Sequence, residues 1–212
     1  MSDAKRIVAE GYDAIGERWL DFHARVEGSP HLRYAEELLA LLPPRPDVLE
    51  LGCAAGVGAT ELLAERTTLT AVDISPVQIE LARKRIPGAT FVAADFTQLE
   101  LEPESFDAVA AFYSLTHVPQ AELPGLLANI ARWLGPGGAF LGTFGAKEKH
   151  ETVEAGWLGG PMFFSSLAPE ESRALVEASG LAIVRDAVET IEEPLGYGTA
   201  RFLWILAQKP PR

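Results

Sequence analysis

The feature that most constrains the fold is a regular alternation of short apolar runs and helical stretches between residues 47 and 145. The apolar runs are Asp47–Cys53, Leu69–Ile74, Thr90–Phe96, Phe106–Ser114 and Ala139–Gly145. Helices are predicted between them at Ala59–Glu65, at Pro76–Ile86 and over a stretch that carries Leu123, Leu127, Ile130 and Leu134 on one side. Because alternating strands and helices form right-handed β-α-β units, the sequence predicts an α/β fold with a mainly parallel sheet.

The N-terminal segment has a helical pattern. Apolar residues recur every three or four positions, at Val8, Tyr12, Ile15, Trp19, Phe22 and Val26. This stripe predicts one helix over residues 4–26, with Asp3 as its candidate N-cap. A second helix is expected to run to about Leu42, because the sequence Pro43-Pro44-Arg45-Pro46 then prevents helix formation.

The C-terminal third departs from the alternation. Residues 146–168 combine glycines with aromatic residues and show no period, which predicts an irregular, lid-like insertion. A helix is predicted over Pro169–Ser179. Two predicted strands, Ala182–Ile191 and Ala200–Gln208, follow with only a short loop between them, so we expect an antiparallel pair.

Composition and charge argue against several functional classes. The chain has 30 acidic and 18 basic side chains and a formal net charge of −12 at pH 7, so no nucleic-acid partner is expected. With Cys53 as its single cysteine and only four histidines, the chain is expected to form neither an internal disulfide nor a metal cluster. The first twenty residues do not resemble a signal peptide and no apolar stretch reaches 18 residues, so we expect a cytoplasmic protein without membrane contact.

A glycine-rich loop, VLELGCAAGVG at residues 48–58, carries the strongest chemical signal. It places Gly52, Gly56 and Gly58 between a buried strand and a helix, where the backbone can approach a ligand and the helix start offers free N–H groups. Its spacing, G-x-x-x-G-x-G, differs from the G-x-G-x-x-G of dinucleotide-binding loops. The Gly-Lys-Ser/Thr of phosphate-binding P-loops is also absent.

Two aspartates end the next two predicted strands. Asp73 follows Gly52 by 21 residues, and an acid at the end of a second strand can accept hydrogen bonds from both ribose hydroxyls. Asp95, beside Phe96, ends the third strand, where it could meet the amino group of an adenine; it could also cap a loop or a helix. Because nucleotide-dependent oxidoreductases carry similar glycine loops and an acid at the position of Asp73, neither the loop nor Asp73 alone decides the ligand.

Taken together, the motifs ELGCAAGVG, AVDIS, AADF, FDAVAAFYSLTHVP and WLGPGG, in this order over residues 45–145, resemble the class I S-adenosylmethionine-dependent methyltransferases of the small-molecule type. The resemblance implies a Rossmann-like, seven-stranded, mostly parallel sheet flanked by helices, with strand order 3-2-1-4-5-7-6 and the last strand antiparallel. It also implies S-adenosylmethionine as the cofactor. The expected reaction is in-line methyl transfer to an oxygen, nitrogen or sulfur atom of a small-molecule acceptor.

The same resemblance assigns cofactor contacts to individual positions. The expected cofactor-binding residues are Glu50, Gly52, Ala54, Gly56, Asp73, Ile74, Asp95, Phe96 and Phe112. Glu50, the glycines and Ala54 would surround the methionine moiety, and the carbonyl of Phe112 would accept from its amine. Asp73 would bind the ribose, and the remaining three would contact the adenine. Ala54 departs from the pattern, since many members have glycine there, and its methyl group narrows the loop.

Three residues are candidates for catalysis. His117 follows the fourth predicted strand at the carboxyl end of the sheet, and an imidazole with an ordinary pKa near 6.5 suits a general base. It could instead fix its loop through a backbone hydrogen bond. Tyr113 and Tyr12 could present phenols to the substrate or could pack as aromatic residues. A base is required only if the acceptor atom is protonated.

The predicted insertion supplies the expected acceptor site. Trp157, Met162 and Phe164 form an apolar group that would suit a hydrophobic or aromatic small molecule, or would simply pack over the sheet edge. Glu192 and Glu193 could meet a basic acceptor, although exposed acids in an acidic chain are usually solvated.

The resemblance leads to one predicted methyltransferase domain over residues 1–212. It consists of an N-terminal helical cap (1–42), a cofactor-binding core (47–145), the insertion (146–168) and a helix with the antiparallel strand pair (169–209). The sequence leaves a monomer or a homodimer open. Two other functions are kept as alternatives: an S-adenosylmethionine-binding protein without methyl transfer, such as a regulator or a cyclase-like relative, and a nucleotide-dependent oxidoreductase.

Overall fold

The computed structural model describes residues 2–148 and 150–211, and the described chain contains nine strands. These are β1 (Asp47–Leu51), β2 (Thr68–Asp73), β3 (Thr90–Ala93), β4 (Phe106–Ala111), β5 (Leu134–Gly145), β6 (His150–Trp157), β7 (Gly160–Ser166), β8 (Ala182–Glu193) and β9 (Gly198–Gln208). Seven of them form one sheet in the order β3-β2-β1-β4-β5-β9-β8. The first five pair in parallel, and β9 runs antiparallel to both β5 and β8. The predicted fold class is therefore confirmed.

Seven α-helices accompany the strands in the described chain. They are α1 (Asp3–Ile15), α2 (Arg18–Arg25), α3 (His31–Leu39), α4 (Ala59–Arg66), α5 (Pro76–Arg85), α6 (Leu123–Trp133) and α7 (Pro169–Ala178). Single 3-10 turns follow β3 at Phe96–Gln98 and β4 at Ser114–His117. None of the described helices is long and apolar enough to cross a membrane.

The sheet is buried on both faces, which explains the unbroken apolar runs of its strands. Trp133 on α6 and Phe140 on β5 are fully buried on one face. On the other face, Tyr34 of α3 stacks on Trp204 of β9 with ring centroids 4.4 Å apart. Packing on both faces holds the strands in place, and the candidate site lies at their carboxyl ends.

The prediction of one N-terminal helix over residues 4–26 is wrong. Gly16 adopts a φ of +52°, a left-handed conformation that glycine tolerates best, and ends α1 before α2 begins. Asp3 is also not the N-cap, because it is already helical; Ser2 precedes it and its hydroxyl accepts from the Lys5 N–H at 3.5 Å. The apolar stripe remains continuous across the break, which is why periodicity alone did not reveal it.

The predicted irregular insertion over residues 146–168 is also wrong, because its larger part forms the antiparallel hairpin of β6 and β7. Leu158 and Gly159 make the turn with φ values of +47° and +93°. A two-residue turn with both φ values positive matches the twist of a hairpin, but Leu-Gly lacks the usual Asn-Gly signal. The hairpin packs on α1, where Met162 lies against Gly11. A β-carbon on Gly11 would be only 2.8 Å from the methyl carbon of Met162, so a larger residue would not fit.

Candidate active site

The candidate site lies at the carboxyl ends of β1, β2 and β4, where ligands bind in open parallel sheets. The loop after β1 begins with Gly52, whose φ is +83°. A β-carbon on Gly52 would lie 2.2 Å from the β-carbon of Ser114, so only glycine fits between the two strand ends. Gly56 has a different role from the predicted one: it is buried and packs against Ala82 of α5, and it borders neither cavity described below.

Asp73 joins the end of β2 to the glycine loop. One carboxylate oxygen accepts from the backbone N–H of Ala54 at 2.8 Å, and the other accepts from that of Ser75 at 2.9 Å. The residue is 7% exposed, and burial raises the pKa of its carboxyl group to about 6, opposed by those two hydrogen bonds. Ala54 itself has a φ of +44°, an uncommon conformation for a residue with a β-carbon.

Glu50 lies near the end of β1 and is 2% exposed. One carboxylate oxygen accepts from the Thr60 hydroxyl at 2.9 Å, while Oε2 has no hydrogen-bond partner among the described residues. Burial raises the pKa of this carboxyl group to about 8, and the charge of Asp73 adds to the increase. Cys53 beside it is buried and the pKa of its thiol is raised, as expected for a packed residue.

Asp95 has an unpredicted partner. Its Oδ2 accepts from the ammonium of Lys5 at 2.8 Å, and its Oδ1 accepts from the N–H of Thr97 at 3.0 Å. Lys5 also pairs with Glu122. Burial lowers the pKa of Lys5, but hydrogen bonds and charges from Asp95 and Glu122 outweigh it and raise the pKa overall. Lys5 precedes Val8 by three positions, so it extends the buried helix stripe and was detectable in the sequence.

Tyr12 and His117 meet across the cleft. His117 Nδ1 lies 2.7 Å from the carbonyl oxygen of Phe163, and because a carbonyl only accepts, Nδ1 carries the proton. Burial lowers the pKa of His117 to about 4, so the ring is neutral at pH 7 and Nε2 is an acceptor. Tyr12 therefore donates its hydroxyl proton to Nε2 at 3.0 Å. Burial also raises the pKa of the Tyr12 phenol.

Tyr113, the third catalytic candidate, is held differently. Its hydroxyl lies 2.7 Å from the hydroxyl of Ser29, which is in turn 2.7 Å from His31 Nδ1. Its ring packs edge-on against Phe202 and Trp204, with centroids 4.9 and 5.2 Å away. Tyr113 thus anchors the segment between α2 and α3 to the end of β4, and its phenol is not part of the Tyr12–His117 pair.

Two cavities meet at these residues. The smaller, of about 80 Å³, is bordered on its strand side by Gly52, Ala54, Asp73, Ile74, Asp95, Phe96 and Phe112. The larger, of about 440 Å³, is bordered by Glu50 and extends to the hairpin, where Trp157 and Phe164 form part of its wall. Tyr12, Tyr113, His117 and the unpredicted Trp19 border both cavities, and so do Gly52, Ala54 and Phe112. The two cavities thus meet at the Tyr12–His117 pair.

The predicted acceptor contact at Met162 is corrected by this geometry. Met162 is fully buried between the hairpin and α1 and does not border either cavity, because its position on β7 directs it into the interface with Gly11. Trp157 and Phe164 do border the larger cavity, and their rings meet edge-on with centroids 5.4 Å apart. In the described residues no group of three or more His, Cys, Asp or Glu side chains could hold a metal ion.

Known sequences are similar to the part of this chain that forms the candidate site. Residues 48–138 match a methyltransferase domain family. The chain is 39% identical over 115 residues to trans-aconitate 2-methyltransferase of Acidovorax sp. (strain JS42), covering 52% of this chain and 43% of that protein. It is 33% identical over 122 residues to Nodulation protein S of Rhizobium tropici, covering 54% of this chain and 51% of that protein. These alignments span about half the length of each relative or less.

Solved structures share the fold at low identity. The 1,6-didemethyltoxoflavin-N1-methyltransferase of Burkholderia thailandensis, solved with S-adenosylhomocysteine, has a TM-score of 0.71 at 21% identity and covers 95% of this chain and 87% of its own. The [4+2]-cyclase SpnF has a TM-score of 0.74 at 15% identity and covers 100% of this chain and 98% of its own.

Proposed function

We propose that this chain, which belongs to the class I S-adenosylmethionine-dependent methyltransferases, transfers a methyl group to an oxygen, nitrogen or sulfur atom of a small molecule. Family membership rests on the strand order, on the glycine loop at the end of β1 and on the family match over residues 48–138. The activity and the acceptor are the proposal.

The observation that carries the proposal is the unpartnered, buried Oε2 of Glu50 beside the glycine loop. With a pKa of about 8, this carboxyl group is largely protonated in the ligand-free protein at pH 7, and a cationic ligand would favour its ionised form. S-adenosylmethionine offers an ammonium and a sulfonium, whereas a dinucleotide would bring the negative charge of a pyrophosphate toward Glu50 and Asp73. The charge of this wall therefore supports the methyl donor over the nicotinamide cofactors of oxidoreductases.

The remaining cofactor contacts follow from the cavity walls. We assign the methionine moiety to the wall of Glu50, Gly52, Ala54 and the carbonyl of Phe112, because Gly52, Ala54 and Phe112 border both cavities and Glu50 borders the larger one. The ribose would lie against Asp73. The adenine would lie in the smaller cavity against Ile74, Asp95 and Phe96, which requires the Lys5 side of that cavity to open, since about 80 Å³ is below the usual volume of a ligand site.

The Tyr12–His117 pair is proposed to orient the acceptor and to accept its proton. S-adenosylmethionine supplies a methyl group already activated by its sulfonium. The protein therefore needs mainly to hold the acceptor atom in line and to exclude water. Where the acceptor atom is protonated, the Tyr12 oxygen can take its proton while passing its own proton to Nε2 of His117. The hydrogen bond to the Phe163 carbonyl keeps His117 in the tautomer that this transfer needs.

Calorimetry and a transfer assay test the proposal. We expect the protein to bind S-adenosylhomocysteine and not NAD, and to transfer radiolabelled methyl from S-adenosylmethionine to at least one member of a broad panel of small-molecule acceptors. Preferential binding of NAD would overturn the proposal in favour of an oxidoreductase. Tight binding of the donor without transfer to any acceptor would favour a binding protein or a cyclase-like catalyst.

A further inference from the structure

The larger cavity is bordered by two carboxylates that the proposed reaction does not use. Glu154 lies on β6 and Glu193 ends β8, and both border the cavity together with Trp157. The part of the wall that Glu154, Trp157, Phe164, Ser165 and Glu193 contribute is here called the acceptor end. None of these five is a predicted cofactor-binding residue, so they are free to select the acceptor.

Glu193 differs from Asp186 and Glu189 on the same strand. Asp186 pairs with Arg173 at 2.5 Å, and Glu189 pairs with Arg33 at 2.6 Å. Within residues 2–148 and 150–211, neither Glu193 nor Glu154 has a lysine or arginine nitrogen within 4.0 Å. Glu154 is exposed and Glu193 is half-buried, so Glu193 is the less solvated of the two unpaired acids.

Strand register places Glu193 on the cavity face. Glu189 pairs with Phe202 and Ile191 pairs with Ala200 in the β8–β9 ladder. Because side chains alternate along a strand, Glu193 lies on the same face as Ile191, and Glu192 lies on the opposite face. Arg201 also borders the cavity, but it pairs with Thr190, so its side chain lies on the face of Glu192.

The electrostatic surroundings of Glu193 favour a cation. Burial raises the pKa of Glu193, and the charge of Glu154 raises it further, while Lys147 opposes both effects. Lys147 is exposed and His150 also borders the cavity, but neither makes an ion pair with these acids among the described residues. A cation placed between the two carboxylates would relieve their repulsion and compensate for burial.

The neighbouring walls supply independent features of a ligand site. Ser165, only 5% exposed, borders the same cavity, and its buried hydroxyl has no hydrogen-bond partner in the described chain. Trp157 and Phe164 offer aromatic rings, which attract cations through their negative faces. The charge of Glu193 also raises the pKa of the Tyr12 phenol, so the two groups lie within electrostatic reach.

Building on the proposed function, we infer that the acceptor is an arylalkylamine-like molecule whose protonated amine is held by Glu193 and Glu154 while its apolar body lies against Trp157 and Phe164. This inference concerns recognition and does not require the amine itself to be the methylated atom. A polyanionic acceptor, such as the one in the name of the trans-aconitate relatives, would meet two unpaired carboxylates and be repelled.

Matched probes on the protein saturated with S-adenosylhomocysteine test this inference. The probes are benzylamine, phenethylamine and tryptamine, each compared by calorimetry with its alcohol and its carboxylate analogue. We expect at least one amine to bind about tenfold more tightly than its alcohol, as loss of one charge-assisted hydrogen bond implies, and the carboxylates to bind weakest. Equal binding of amine and alcohol across all three sets, or preference for a carboxylate, would overturn the inference.

Two variants test whether the preference for amines depends on Glu193. Glu193→Gln is expected to reduce amine affinity about tenfold and to leave the affinities for the alcohol and for S-adenosylhomocysteine unchanged. Glu192→Gln removes the same charge from the opposite face of β8 and is expected to change amine affinity less than threefold. Equal losses in both variants would contradict a site at Glu193. Failure of the unsubstituted protein to bind S-adenosylhomocysteine would instead contradict the proposed function.

Discussion

The polar groups of the cofactor-binding wall are mostly held by the protein itself, whereas Glu154, Glu193 and the Ser165 hydroxyl at the acceptor end lack a partner in the described part of the chain. Asp73 accepts from two backbone N–H groups, and Asp95 accepts from Lys5 and Thr97. Glu154, Glu193 and the Ser165 hydroxyl make no comparable contacts among the described residues. The first wall is thus organised by neighbouring backbone before any ligand binds. The second depends on its ligand to satisfy its charges.

The largest effect is expected at the point where the two walls meet. Tyr12→Phe removes the hydroxyl that donates to His117 while keeping the ring, so turnover should fall about 10²- to 10⁴-fold for an acceptor that must lose a proton. Affinity for S-adenosylhomocysteine should change little, because the ring remains in the wall. Steady-state kinetics with calorimetry measures both quantities.

Tyr113→Phe is the matched comparison for Tyr12→Phe. Within the described part of the chain this hydroxyl bonds to Ser29 and not to His117, so the expected loss of turnover is smaller. If Tyr12→Phe and Tyr113→Phe reduced turnover equally, the Tyr12–His117 pair would have no special role in the transfer.

The next largest effect is expected for Glu50→Gln, which should change stability and cofactor affinity in opposite directions. Its folded pKa of about 8 lies above the ordinary value of 4.5, so the protonated form favours folding and this contribution is lost as pH rises from about 4.5 through 8. Glu50→Gln stays neutral, so above pH 8 the ligand-free variant should be more stable than the unsubstituted protein, by on the order of 2–5 kcal/mol.

Thermal unfolding from pH 5 to pH 9 measures this difference, and calorimetry with S-adenosylmethionine measures the accompanying loss of affinity. A variant that gained stability without losing affinity would show that the unpartnered oxygen of Glu50 does not face the cofactor.

Asp73→Ala tests the contribution of the cofactor-binding wall to affinity for the methyl donor. Removal of its carboxylate should weaken S-adenosylmethionine binding by about 1.5–3 kcal/mol, the usual value of hydrogen bonds to a charged group. Asp21→Ala, at an exposed acid on α2, is the control and should leave affinity unchanged. Unchanged affinity in Asp73→Ala would remove this residue from the site.

The smallest effect is expected at the departure from the family pattern. Ala54 has a φ of +44°, which costs a residue with a β-carbon about 1 kcal/mol or more, so Ala54→Gly should raise the free energy of unfolding by up to about 1 kcal/mol. Ala55→Gly has no positive φ to relieve and should lower it by about 0.5–1 kcal/mol. Urea denaturation of the two variants compares them, and the same sign in both would refute the strain at Ala54.

The two walls also differ in how far the sequence predicts them. Local sequence predicts much of the cofactor-binding wall: the strands of the core, the glycine loop, Asp73 and Asp95. Each of these follows from a strand and the few residues after its end. Met162 was misassigned because only the pairing of β6 with β7 decides which hairpin side chains face α1. The pairing of Lys5 with Asp95 joins residues 90 positions apart, which no local pattern reports.

A crystal structure with S-adenosylhomocysteine would show whether this cleft holds the methyl donor. We expect the ribose hydroxyls within hydrogen-bond distance of the Asp73 carboxylate and the ammonium of the homocysteine moiety against Oε2 of Glu50. A ligand bound elsewhere, or one that leaves both carboxylates without contact, would contradict the claim that this cleft holds the methyl donor.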